Sequence, residues 1–255
     1  MVMTVDIGNT NVTFGVFCGD ELVFVSRIAT DDRKTEDQYA VEFRNILLLN
    51  DISPGKTEGC IISSVVPKLS GVMKKAVRLL GIRTVLTVSS GVKTGVNIRT
   101  DNPRQTGADI VCGAVWAKES GHVPAVLVDM GTATTFAAVD GKGNLTGYAI
   151  MPGVEISLHA LREHAAQLPA VSIESPGGAV CGKNTVDAMV SGIVYGAAAA
   201  VDGMVRRFQA ELGTAEVIIT GGLGKKIAPY LETAFVLEEH AILKGLHMLW
   251  CKNRM

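Results

Sequence analysis

The chain has 255 residues, of which 47% are hydrophobic and 19% charged, with 28 glycines; such a composition builds a packed core and excludes a disordered polymer. A net charge of −1 excludes a dedicated nucleic-acid surface, which needs clustered Lys and Arg to displace counterions, and points to small-molecule partners. Five scattered cysteines, at 18, 60, 112, 181 and 251, form no Cys-x-x-Cys pair and so speak for reduced thiols and a cytoplasmic setting over a disulfide framework or zinc site; no basic leader and no apolar run of the ~18 residues that span a bilayer is expected, hence no membrane partner.

Three β-type runs at 2–6, 12–17 and 22–28, broken by Gly8 and the Gly19-Asp20 pair, predict a meander. A helix follows over 37–50, where Tyr39, Val41, Phe43, Ile46 and Leu47 recur near helical spacing. Next come a strand at 60–63 and a helix over 67–80 with Pro67 in its first turn. The same order resumes downstream. Strands are expected at 123–129, 134–139 and 145–150, helices at 155–163 and 183–212, a strand at 217–220, and two closing helices.

This resumption is an internal repeat. Shifted by 123 positions, Val5-Asp6-Ile7-Gly8-Asn9-Thr10 lies on Val128-Asp129-Met130-Gly131-Thr132-Ala133, and Val16 lies on Val139. Each copy is an apolar strand ending in Asp, an x-Gly turn and a second strand rich in hydroxyl or amide groups. A Gly turn lets backbone N–H groups approach an anion. Asn9, Thr10 and Asn11 in the first copy, and Thr132, Thr134 and Thr135 in the second, add neutral donors, so the pair of turns suits a polyphosphate. The aspartates repel phosphate unless cations intervene, and Asp6 fits a hard Mg²⁺ ion. Asp before Gly also forms turns with no ligand at all, and that reading stays open for either turn alone.

A third glycine element, Gly221-Gly222 after Thr220, permits a flat ring such as adenine to lie on bare backbone. Asp109, in Thr106-Gly107-Ala108-Asp109 at the start of an apolar helix, is the candidate general base for a substrate hydroxyl, although a first-turn Asp serves equally as a helix cap. In the 183–212 helix, Met189, Ile193, Ala197, Val201, Met204 and Phe208 form a stripe suited to core or dimer surface, while His159 and His164 read as ordinary helix residues.

Eight blocks in order, Asp6-Ile7-Gly8-Asn9-Thr10-Asn11, Asn102-Pro103-x-x-x-Gly107-Ala108-Asp109, Asp129-x-Gly131-Thr132-Ala133-Thr134-Thr135, Pro152-Gly153, Gln167-Leu168-Pro169, Gly182-Lys183-Asn184-Thr185, Ser191-Gly192 and Thr220-Gly221-Gly222, resemble the motifs of type III pantothenate kinases, within the acetate and sugar kinase, heat-shock 70 and actin superfamily. The resemblance implies an α/β fold of two tandem ribonuclease H-like (actin-like) domains, with mixed sheets flanked by helices, over 1–118 and 119–255. It implies phosphorylation of pantothenate by ATP to 4'-phosphopantothenate, the first step of coenzyme A biosynthesis, in a homodimer using Mg²⁺ and a monovalent cation, K⁺ or NH₄⁺. By the same resemblance Asp6 faces Mg²⁺, Asp109 is the base and Asp129 lies near the monovalent cation. Gly8, Asn9, Thr10, Asn11, Gly131, Thr132, Thr134, Gly221 and Gly222 would hold the nucleotide. Thr100, Gly107, Ala108, Asp109 and Ile110 would meet pantothenate, with Thr185 reaching the pocket from the partner subunit.

Two positions depart from the family pattern: Ile110 stands where an Arg commonly follows the base, and Thr100 where a Tyr precedes the motif proline. Both bear on the substrate more than on the nucleotide, since an Arg suits a carboxylate through paired charged hydrogen bonds. Two alternatives therefore stand beside pantothenate kinase: a paralogous kinase of another small hydroxyl compound, and a non-catalytic ATP-binding regulator. The joint presence of Asp6, Asp109 and Asp129 disfavours the second.

Overall fold

Val2, Met3, Val5 and Ile7 of β1 (Val2–Ile7) are all buried, because the strand is central and covered on both faces. β1 pairs antiparallel with β2 (Asn11–Cys18), which pairs antiparallel with β3 (Glu21–Ala29), giving the expected meander. The structure is a computed structural model that describes residues 1–89, 91–165, 168–173 and 179–254. α1 (Glu36–Leu49) opens on a capping box, with Thr35 and Gln38 each satisfying the other's backbone N–H, and it buries Tyr39, Phe43 and Leu47, spaced four apart, on the sheet. β4 (Gly59–Ser64) then lies parallel to β1; a parallel neighbour demands such a crossover helix. α2 (Pro67–Leu79) starts on its proline, as expected, and β5 (Thr84–Thr87) adds a short parallel edge strand that the sequence pattern did not announce.

After α3 (Ala108–Glu119) the pattern repeats. β6 (Ala125–Met130), β7 (Ala133–Val139) and β8 (Leu145–Pro152) form an antiparallel meander, α4 (Val154–His164) and α5 (Thr185–Leu212) follow, and β9 (Glu216–Thr220) lies parallel to β6. A four-residue α6 (Gly224–Ile227), the two-residue β10 (Val236–Leu237) and α7 (Ala241–Asn253) end the chain. The strand orders are β3-β2-β1-β4-β5 and β8-β7-β6-β9-β10, the same arrangement twice, each with three antiparallel strands followed by parallel ones. This is the mixed-sheet, ribonuclease H-like architecture expected.

The repeat is tight in its first strand and slips in its second. β1 moved by 123 falls on β6 residue for residue. Met3 pairs with Val16, but Val126 pairs with Ala138, so the structural counterpart of Val16 is Ala138 and not Val139. The second turn is one residue shorter.

By internal contacts the chain divides into one unit of Met1–Asn97, Asp101–Glu119 and Ala241–Met255, and another of Ile98–Thr100 and Ser120–His240. The first unit is closed by α7, which packs on α3, β1 and β4. Its approach to α3 is backbone against backbone: a Cβ on Gly245 would sit 2.0 Å from the Cys112 carbonyl oxygen. In the second unit, α5 is long and apolar enough by length and composition to cross a membrane, contrary to the expectation of no such run. Its Met189, Ile193, Val194, Val201 and Val205 instead pack with Val126, Val128 and Phe136 of the sheet into one core.

Candidate active site

In the first unit, β1 delivers Asp6 beside Thr13 of β2 on one side and Ser63 of β4 on the other. The turn that follows is fixed by its own hydrogen bonds. The Gly8 N–H donates to the Asn11 carbonyl at 2.9 Å, the Thr30 hydroxyl donates to the Gly8 carbonyl at 2.7 Å, and the Thr30 N–H donates to the Thr10 carbonyl at 2.9 Å. Asn9 and Thr10 are left exposed at its tip and Asn11 half-buried. At Gly8 a Cβ would stand only 3.1 Å from the Asn11 carbonyl oxygen, so the tight turn favours a bare backbone there.

Asp109 is the second residue of α3 and half-buried. Its Oδ1 accepts the Ile110 N–H at 2.8 Å, folding the carboxylate back over the helix start. That position is open only because Gly107 has no side chain: a Cβ there would lie 2.3 Å from Oδ1. Burial pushes the Asp109 carboxyl above its ordinary range, while the N–H of Ile110 pulls the other way. Cys112, on the same face of α3, is fully buried, and its thiol is raised well above the usual range by burial first and then by the charges of Asp6 and Asp109. Both carboxylates thus act electrostatically on the same buried thiol. Ala108 opens α3 and Ile110 is buried with its Cδ1 toward Gly107; Thr100, half-buried, belongs to the second unit.

In the second unit Asp129 occupies the matching place, beside Thr135 of β7 and Thr220 of β9. The Gly131 N–H donates to the Ala133 carbonyl at 3.0 Å. Gly221, at φ +88°, runs directly against this strand end: a Cβ on it would be 2.2 Å from Asp129 Oδ1 and 2.7 Å from the Met130 nitrogen. Gly222 is exposed, and Thr132 half-buried. Thr134 lies apart from its neighbours; it is 2% exposed and lines an apolar cavity of ≈ 180 Å³ with Met130, Met151, Val154 and Ile193. Thr185 is the exposed first residue of α5, next to Asn184, whose Oδ1 accepts the Asp187 N–H at 2.9 Å as a helix cap. Of the Gln167-Leu168-Pro169 block, Gln167 lies outside the described residues.

Sequence reasoning gave no site role to Ser63, Thr220 or Cys112, although Thr220 opens the third glycine element. The register makes Ser63 and Thr220 equivalents, a hydroxyl residue beside the strand-end Asp of each unit. A hydroxyl at the end of each crossover strand was the available signal, but it acquires meaning only once the parallel pairing is known. Thr30, which locks the first turn from 22 residues away, carried none.

The donor set fits a polyphosphate with a hard cation. Each unit offers a carboxylate at a strand end, a bare-backbone glycine turn and hydroxyl neighbours, and hard cations take carboxylate and phosphate oxygens.

The comparisons agree with this geometry. The family model for type III pantothenate kinase matches residues 2–207. A type III pantothenate kinase of Exiguobacterium sp. is 40% identical over 255 residues, covering 100% of both chains. One from Geobacter sulfurreducens is 41% identical over 256 residues, again covering 100% of each. Among solved structures, a protein described as a 2-dehydro-3-deoxygalactonokinase from Sinorhizobium meliloti aligns with a TM-score of 0.58 over 98% of each chain at 13% identity, a likeness of fold.

Proposed function

Because the chain belongs to the type III pantothenate kinase family, and phosphorylation of pantothenate in coenzyme A biosynthesis is its reaction, we propose that Asp109 is the general base that takes the proton of the pantothenate hydroxyl. The single observation that carries this is the placing of the Asp109 carboxylate at the start of α3, its Oδ1 held by the Ile110 N–H at 2.8 Å in space left open by the bare backbone of Gly107. A carboxylate raised by burial is a better proton acceptor than an ordinary one, and the start of α3 keeps it ionisable.

Gly8, Asn9, Thr10 and Asn11 in the first unit hold ATP phosphates through backbone N–H groups and short side chains. Gly131 and Thr132 act likewise in the second, and the bare Gly221-Gly222 backbone accepts the adenine ring. Thr134, buried beside an apolar cavity, supports this turn from within. Asp6 holds Mg²⁺, and Asp129 a monovalent cation, K⁺ or NH₄⁺; bound there, these ions neutralise the charge that gathers on the transferring phosphoryl group. Thr100, Gly107, Ala108 and Ile110 shape the pantothenate pocket around Asp109. Thr185 reaches that pocket from the partner subunit of a homodimer, a reading supported by exposed Ile156, Leu161 and Val186 on α4 and α5. The enzyme works in the cytoplasm.

The test is a coupled ADP-release assay on wild type and Asp109→Asn, with pantothenate and a panel of other hydroxy acids, with and without K⁺. Wild type should turn over pantothenate, with activity falling when K⁺ is withheld. Asp109→Asn should lose ~10²-fold or more in turnover while binding ATP as before. The acid limb of the wild-type kcat/KM profile should lie above the ordinary carboxylate range and vanish in the variant. Unchanged turnover in Asp109→Asn would remove Asp109 from the role of base.

A further inference from the structure

A second set of chemically capable side chains lies within the first unit and takes no part in the kinase site. His247 and Cys251 stand one turn apart on α7, and Asp20 sits in the Gly19-Asp20 turn joining β2 to β3. One ligand atom from each lies within 4.8 Å of the others. The Cys251 Sγ and His247 Nε2 are 3.8 Å apart. A tetrahedral zinc ion, with bonds of ~2.3 Å to sulfur and ~2.0 Å to nitrogen, holds two such atoms ~3.6 Å apart, so the helix already presents them at nearly the separation a metal requires. An S–H···N contact could by itself account for that pair. It would not account for a carboxylate arriving at the same point from a different element.

The ring is clamped for the task. Phe17 of β2 stacks on His247 at 4.2 Å between centroids and 8° between planes, and His247 is only 6% exposed. Burial holds the imidazole below its usual range, although Asp20 and Glu58 pull it upward, and the neutral form is the one that binds metal. Asp20 and Cys251 are exposed, which leaves the cluster open to solvent. Burial and then Asp20 hold the Cys251 thiol above its usual range, with Arg254 acting against them and Glu58 with them. Glu58 is itself paired with Arg254 at 2.9 Å. A dication would cancel the carboxylate and thiolate charges together and release the thiol proton to solvent.

We propose that Asp20, His247 and Cys251 form a binding site for a thiophilic divalent cation, Zn²⁺ above all, with a fourth position open to water. The site ties the β2–β3 turn to the last helix and so acts on the stability of the first unit. Its existence does not depend on the kinase reading. The absence of a Cys-x-x-Cys pair favours reduced thiols over a zinc site in the sequence, but the His-x₃-Cys spacing on one helix face carries the same chemistry once the hairpin supplies the third ligand.

The experiment uses the full-length, untagged, metal-stripped chain without nucleotide. Titration with Co²⁺ should give a sulfur-to-metal charge-transfer absorption that saturates at one equivalent and is displaced by Zn²⁺. Added Zn²⁺ should raise the Tm. In Cys251→Ser, an exposed and nearly isosteric change whose folding is checked by circular dichroism, the absorption and the Zn²⁺-dependent rise in Tm should both disappear. Asp20→Asn should weaken Zn²⁺ binding at least tenfold, and Cys18→Ser should leave it intact. No charge-transfer band in the wild type, a band that survives Cys251→Ser, or one that follows Cys18 would overturn the assignment.

Discussion

Replacing Gly107 by alanine tests whether the position of the Asp109 carboxylate, as distinct from its presence, sets the rate. The added Cβ would lie 2.3 Å from Asp109 Oδ1, and ordinary contact begins near 3.4 Å, so the carboxylate must retreat by 3.4 − 2.3 = 1.1 Å. The obstacle is the end of a side chain, not a wall of backbone, and Gly107 is not at positive φ, so the carboxylate can rotate away at little cost to stability. In doing so it gives up the 2.8 Å bond from the Ile110 N–H and, with it, the alignment that the proposed base role requires. Misplacement of a reacting group by ~1 Å costs about 10²-fold in rate, or ~2.7 kcal/mol of barrier. Gly107→Ala should therefore lower kcat about a hundredfold, with Tm within a degree or two of wild type and ATP affinity unchanged. Steady-state kinetics, nucleotide titration and a thermal melt on the same preparation would show this. A kcat within about threefold of wild type would mean that the folded-back Asp109 is not the working geometry.

Gly221→Ala poses the opposite case, because its Cβ would strike the Met130 backbone nitrogen at 2.7 Å from a φ of +88°; strain and overpacking together should cost roughly 2–6 kcal/mol. Gly71→Ala, with open space around it inside α2, should instead stabilise by ~0.5–1 kcal/mol; equal melting shifts for the two would refute the packing argument. Asp202, 3% exposed on α5, accepts the N–H groups of Glu232 and Thr233 at 3.0 Å each, and despite the opposing effect of burial these bonds hold its carboxyl below the ordinary range. Asp202→Ala should cost roughly 2–3 kcal/mol at neutral pH. Because the folded pKa is depressed, that contribution is present above the ordinary carboxylate value of 3.8 and fades as pH falls through the lowered one; the two proteins should converge in Tm at strongly acid pH, and a constant gap would rule out the ionised carboxylate as the stabilising acceptor.

Much of this protein is written locally in its chain. The meanders, the helices from Thr35 and Pro67, and the duplication that sets Asp6 on Asp129 rest on strand alternation, caps and glycine turns, all of which act over a few residues. The likeness of eight short blocks to one kinase family was legible for the same reason, since each block is a run of a few neighbouring residues. The tertiary structure alone decided what depends on pairing between distant segments. It set Ser63 beside Asp6 and Thr220 beside Asp129, because parallel register is fixed by the whole sheet and not by either strand. Short edge strands such as β5 and β10 gave no alternation to read. Thr134 and Thr135 look alike in sequence, yet strand pleat sends one to an apolar cavity and leaves the other opposite Asp129. The apolar stripe of α7 announces a buried helix but not its partner; only folding lays Gly245 on Cys112, and brings His247 and Cys251 to a turn formed more than two hundred residues before them, because burial rewards apolar area without regard to which sheet supplies it.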